Sequence, residues 1–326
     1  FLPVQLPPVP VLALQGYQEQ GILFGYRPPR SSAADCLLSV FQMTNETLNI
    51  WTHFVPAWYF VWTLVGRLQG PGGPEDPNAW PLLAYLLTCC IYPLASSCAH
   101  TFSTMSTHAR HICYFFDYAA LSMYSLGKAH GAISCPASPP QHPQVLLRRA
   151  ALDLLLCRAG PCEIPSLFSC RFLEVERPML SKASRTLAFV YPYLFDSIPL
   201  FYRFYRCAAE GCTEAAIPVH YKHTGFAFLT CFIFASHLPE RLAPGHFDYI
   251  GHSHQVFHVC GIIGTLFQME AITMDMAERH DRLLPPSLLP SSPQTLGSMG
   301  IGVAASLAVI GLCSLSLRFM PEPLQR

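Results

Sequence analysis

Residues 80–99 read WPLLAYLLTCCIYPLASSCA, an unbroken stretch without one Asp, Glu, Lys or Arg. A bilayer core about 30 Å thick is crossed by about 20 largely apolar residues in a helix. Inside hydrocarbon each backbone N–H and C=O has to be paired within the segment, so a helix is the conformation this stretch can adopt there. Similar blocks recur along the chain, approximately Ile50–Val65, Ile112–Leu126, Leu187–Tyr205, Val256–Ile272 and Met299–Leu317, with a shorter one at Phe226–Ser236 that extends back toward Tyr221. Trp51, Trp58, Trp62 and Trp80 lie in or at the edges of the first two spans, where interfacial anchors sit. The expected fold is therefore all-α, a polytopic membrane protein.

Composition agrees. The chain is 51% hydrophobic and only 12% charged, against about 25% charged for an ordinary soluble domain. Twenty basic residues balance twenty acidic ones, which removes the electrostatic footprint of a nucleic-acid binder. The fourteen cysteines form no CxxC pairs with zinc-ribbon spacing, and Cys89, Cys90 and Cys98 lie in apolar blocks as small hydrophobes. The apolar, proline-rich opening to Leu14 has no basic n-region and reads as a poor signal peptide. No internal repeat is visible. Lys and Arg divide too evenly between the two sides of the expected helices for the positive-inside rule to orient them.

One region breaks the pattern. From His130 to Glu163 the chain carries Pro136, Pro139, Pro140 and Pro143, then Arg148, Arg149, Asp153 and Arg158, and only Ala150–Cys157 is apolar. A charge near the bilayer centre costs at least about 2.5–3.5 kcal/mol, so this segment does not read as a span. The linkers are otherwise short, at Gly70–Pro77, Glu210–Thr213 and Arg279–Pro293.

Ionisable groups in membrane helices mark function by default, and three clusters qualify. Ser96, Ser97 and His100 close the second span, with Ser96 and His100 on one face. Asp117 stands among Tyr114, Phe115, Phe116 and Tyr118. His252, His254 and His258 follow Asp248 and open another span. His254 and His258 are spaced i,i+4, which suits two ligands of one tetrahedral zinc, and His100 would complete a His₃ set with an open fourth position. No Glu separates the pair, so the HExxH protease motif is absent. Asp117 would hold the zinc-bound water or a ligating imidazole. The competing reading makes such a pair hydrogen-bonded structure, and Ser96 a side chain bonded back to its own helix. His53, His108, His111 and His130 read as interfacial or structural.

The strings SVFQMTNETLNIWTH at 39–53, Ser96 to His100, HICYFFDY at 111–118, HLPERLAPG at 237–245 and FDYIGHSHQVFH at 247–258 resemble the progestin and adipoQ receptor family, and within it the membrane progestin receptors of the gamma and delta type. The resemblance covers roughly Gly21 to Met276. It implies a seven-helix core at 50–276, within which 131–168 is aberrant, after an N-terminal segment 1–49 in the cytosol. Residues 277–326 would be a loop and an additional helix. It also implies zinc on His100, His254 and His258 with Asp117 and Ser96 nearby, and a plasma-membrane location. The Asn45–Thr47 sequon becomes a structural motif of the family rather than a glycan site.

Two functions follow as expectations. One is a receptor for progesterone-like steroids that signals to an intracellular protein. The other is a zinc-dependent intramembrane hydrolase of a lipid amide such as ceramide, with Asp117 as base and then acid and Ser96 beside it. Asp196 lies in the aromatic span with Phe189, Tyr191, Tyr193, Phe195, Phe201 and Tyr202 and would meet a ligand hydroxyl or a helix partner. A transporter has less support, since no inverted repeat or pair of broken helices is present.

Overall fold

The computed structural model describes residues 19–70, 73–76, 79–133, 186–187, 190, 193–194, 196–211, 214–281 and 292–317. Among these residues there are helices and no strand, the expected all-α class. The short α1 covers Ala33–Ser39, followed by α2 (Thr47–Gln69), α3 (Trp80–Phe102) and α4 (Thr107–Ile133). Then come α5 (Ile198–Glu210), α6 (Ile217–Ser236), α7 (Ser253–Asp281) and α8 (Ser292–Ser316). Beyond the end of α4, the aberrant segment lies outside the described residues, as do Phe189, Tyr191 and Phe195.

Local chemistry sets several boundaries. Ser32 caps α1, accepting from the Asp35 N–H while the Asp35 carboxylate accepts from the Ser32 N–H. Pro199 and Pro218 stand in the first turns of α5 and α6, where a missing N–H costs nothing. That start carries α6 upstream of the expected Phe226 and one turn beyond the foreseen extension toward Tyr221. His237 ends it in the left-handed conformation at φ 53°. Helix α4 runs past the expected Leu126 because Lys128, the residue that would stop a lipid-facing helix, turns inward and is buried. Helix α7 likewise continues into the expected linker, to Asp281.

Helix α3 is central, with α1, α2, α4, α7 and α8 packed on it, and α6 lies along α7. Phe60 of α2, Leu82, Tyr85, Leu86 and Cys89 of α3, Ala120 of α4 and Ile262 and Ile272 of α7 form the main core. At Gly127 of α4 a Cβ would overlap the Thr88 side chain of α3, the close approach that small residues permit between membrane helices.

The outer faces are apolar. Trp62 is 72% and Leu312 68% exposed, with Trp58, Ile301 and Leu307 also outward. Such faces are unfavourable in water and stable in lipid. Helices α3, α7 and α8 are each long and apolar enough to cross a bilayer by length and composition. Helices α2, α4 and α6 have comparable length and place His53, Asp117, Lys128 and His223 toward the interior, which lowers their hydropathy.

Candidate metal centre and cavity

The site begins where α3 ends. Its last carbonyls have no partner within the helix, and the buried Arg27 supplies one. Arg27 Nη2 donates to the His100 carbonyl at 2.5 Å and to Ser103 Oγ at 3.0 Å. Its Nη1 donates to the Thr101 carbonyl at 2.7 Å and to Ser39 Oγ at 3.1 Å. The backbone that carries His100 is thus fixed by a cation at a helix C-terminus.

The start of α2 orients the imidazoles. His100 Nδ1 lies 2.8 Å from Glu46 Oε2 and His258 Nδ1 lies 3.1 Å from the Asn49 carbonyl. A carboxylate and a carbonyl only accept, so both Nδ1 atoms donate and both Nε2 atoms are free to ligate. Asn49 Nδ2 in turn donates to Glu46 Oε2 at 2.8 Å. Burial opposes the charge on Glu46, and the hydrogen bonds from His100 and Asn49 together with the nearby Arg27 cation favour it. His53, on the same face of α2, stacks on His258 at 3.8 Å between centroids and 9° between planes.

The first turn of α7 is fixed from another loop. Glu240 accepts from the Ser253 N–H at 2.7 Å and from the Ser253 hydroxyl. His254 and His258 then project on one face, as the i,i+4 spacing requires. One ligand atom from each of His100, His254 and His258 lies within 4.8 Å of the others. The His100 and His254 Nε2 atoms are 3.2 Å apart. Two nitrogens on one tetrahedral zinc, each at about 2.0–2.1 Å, stand about 3.3 Å apart. The donor set therefore fits a divalent metal that prefers imidazole, although the same separation also suits a hydrogen bond between neutral rings.

These residues open on a cavity of ≈ 300 Å³, within the range of small-molecule sites. Ser96, His100, Asp117, His254 and His258 all line it, and Asp117 interacts with the Ser96 hydroxyl. The residues singled out from sequence as chemical are thus brought together, with two exceptions. His252 points elsewhere, its Nε2 3.1 Å from the Asn45 carbonyl, and Ser97 Oγ donates to the Ile50 carbonyl at 3.1 Å.

Sequence reasoning missed part of the site. His53, read as interfacial or structural, is buried and lines the cavity. Glu46 and Asn49 escaped notice, though two polar residues on one face at the start of a membrane helix were a usable signal. Asn45 is 3% exposed, which agrees with a structural role for the sequon. Asp248 accepts from the Leu23 and Phe24 N–H groups at 2.8 and 3.1 Å. Asp196 faces the Lys128 cation, the helix-partner alternative of the two foreseen for it.

Comparison with known proteins adds a family. The haemolysin-III-related profile matches residues 41–269. The chain is 52% identical over 323 residues to membrane progestin receptor gamma-B of Danio rerio, covering 95% of this chain and 93% of that one. It is 50% identical over 313 residues to membrane progestin receptor delta of Homo sapiens, covering 94% and 89%. Membrane progestin receptor gamma of Mus musculus is 49% identical over 313 residues, covering 95% and 93%.

Proposed function

Since the chain belongs to the haemolysin-III-related family of multi-pass membrane proteins, we propose that it is a plasma-membrane receptor for a progesterone-like steroid, with an intramembrane zinc site on His100, His254 and His258. The cavity carries this reading. It is lined mainly by apolar and aromatic side chains, among them Leu121, Phe228, Phe234 and Phe257, and it ends on the histidines. Such an enclosure suits a rigid apolar ligand with few polar groups. Its relatives named membrane progestin receptors match nearly the whole chain. Occupation would shift the packing of α4, α6 and α7 and so reach an intracellular signalling protein.

Gly261 offers the test. It lines the cavity, and a Cβ built there meets nothing within 4 Å. Leucine at 261 puts its side chain into the ligand's space without pushing helices apart. In Gly261→Leu, saturable binding of radiolabelled progesterone is expected to fall by about tenfold or more, with zinc content unchanged. Equal binding in the variant would take the ligand out of this cavity.

Asp117 favours a second reading, a lipid-amide hydrolase, because its carboxyl lines the same cavity as the three histidines. Zinc, when bound, would supply a Lewis acid and a water with a pKa near about 7. Asp117 would take a proton from the attacking water and return it to the leaving amine, and Ser96 would hold the carboxyl in place. The Asp117→Asn variant keeps shape and removes the base. It is expected to retain zinc, and if the wild type releases fatty acid from ceramide, to lose about 10²–10⁴ in rate. Release undiminished in the Asn variant would remove Asp117 from the chemistry.

A further inference from the structure

The cavity has a second polar end. On α4, Asp117 and Lys128 both line it, three turns apart, which is about 16 Å of helix. Helix α6 runs the other way, with His223 at the Lys128 end and Phe234 toward the histidines, and α7 carries Gln268 beyond His254 and His258. The lining between the two ends is largely apolar.

His223 is 5% exposed. Its Nδ1 lies 3.0 Å from the Gly264 carbonyl and must donate to it, so in the neutral ring Nε2 is an acceptor. That atom is buried and meets no hydrogen-bond partner among the described residues. Buried polar atoms are normally paired, and the His223 side chain lines the cavity.

Lys128 is the complement. Its ammonium donates to Ser197 Oγ at 3.0 Å and lies 3.8 Å from the centroid of the Tyr193 ring. The Tyr193 ring is 6.3 Å from that of His223, so one aromatic ring joins the two groups. An ammonium has three donors, and Ser197 takes one. The Asp196 carboxylate acts electrostatically on Lys128, so this end does not call for an anion. A neutral group that both donates and accepts satisfies it.

We propose that Lys128 and His223 form a recognition site for a hydroxyl at the end of the ligand remote from the metal centre. The hydroxyl oxygen accepts from the Lys128 ammonium and its hydrogen is donated to His223 Nε2. A ketone in the same place accepts from Lys128 and leaves His223 Nε2 bare. The inference rests on the reading of the cavity as a steroid site and specifies which steroids it prefers, those with a terminal hydroxyl.

The test measures competition binding to the full chain in lipid nanodiscs. The probes are progesterone and its two products of single ketone reduction, at the 3 and the 20 position. One of the two alcohols is expected to bind the wild type about tenfold more tightly than progesterone. His223→Asn keeps a donor for the Gly264 carbonyl and deletes Nε2. It is expected to erase that preference while leaving zinc content unchanged. Equal affinity of all three probes for the wild type, or a preference that survives in a zinc-loaded His223→Asn, would overturn the proposal and assign Nε2 to bound water. Failure of the wild type to bind any of the three defeats the steroid reading itself and the proposal with it. Should His223→Asn lose its zinc and its fold, Lys128→Met decides. Weakening of all three probes by about tenfold supports the site, and unchanged affinities overturn it.

Discussion

Elemental analysis of detergent-purified protein is expected to give about one zinc per wild-type chain, and close to none for His100→Ala or His254→Ala. Three imidazoles are the whole protein contribution to such a site, and a pair of them holds the metal far more weakly than all three. The surroundings raise the stakes. Glu46 and Asn49 hold the rings of His100 and His258 with their Nδ1 atoms turned away, which prepays the ordering of the ligands. Replacing Glu46 with Gln keeps an acceptor and is expected to cost about 10–100-fold in metal affinity, the range for partners that orient a ligating His. Zinc-free wild type that is nevertheless well folded would reduce the histidines to a hydrogen-bonded cluster. The helix termini alone would then carry this end of the bundle.

Removing Arg203 is expected to be strongly destabilising, by about 3–5 kcal/mol. Arg203 on α5 grips Asp275 on α7 through Nη1 at 2.9 Å and Nη2 at 2.7 Å, and its Nε reaches Glu214 at 2.5 Å. His220 on α6 adds Nε2 at 2.8 Å from Asp275. Asp275 is 0% exposed, so Arg203→Ala strips a bidentate partner from a carboxylate that water cannot reach. The expected readout is a large fall in the unfolding midpoint. Replacing both Arg203 and Asp275 by leucine should recover much of it, since a buried pair exchanged for apolar residues is often neutral. An Arg203→Ala midpoint equal to wild type would show that the clamp carries little energy.

The sequence made the clamp hard to see for a physical reason. Arg203 lies within α5, Asp275 within α7, His220 in the first turns of α6 and Glu214 in the loop before it, and each alone is an ordinary polar residue. Spacing arguments work within one helix, so His254 and His258 were legible as a pair, and Ser96 with His100. Asp117 was legible because a carboxyl in an apolar span is expensive. Lys128 and His223 were lost in segments read only for hydropathy. Lys128 even fell beyond the expected end of its span, since nothing in a linear reading says that it turns inward to Ser197 and Asp196.

The sequence by itself determined the class of molecule and the residues worth suspecting. Lipid as solvent leaves few solutions: apolar stretches of bilayer length must be helical, and polar residues within them must have a reason. The tertiary structure decided how those residues are used. It put the end of α3 beside the starts of α2 and α7, turned three imidazole nitrogens toward one point, and left a cavity running from there to Lys128 and His223. These are contacts between helices distant in sequence, set by side-chain packing and hydrogen bonding across the bundle, and no periodicity within a single helix encodes them.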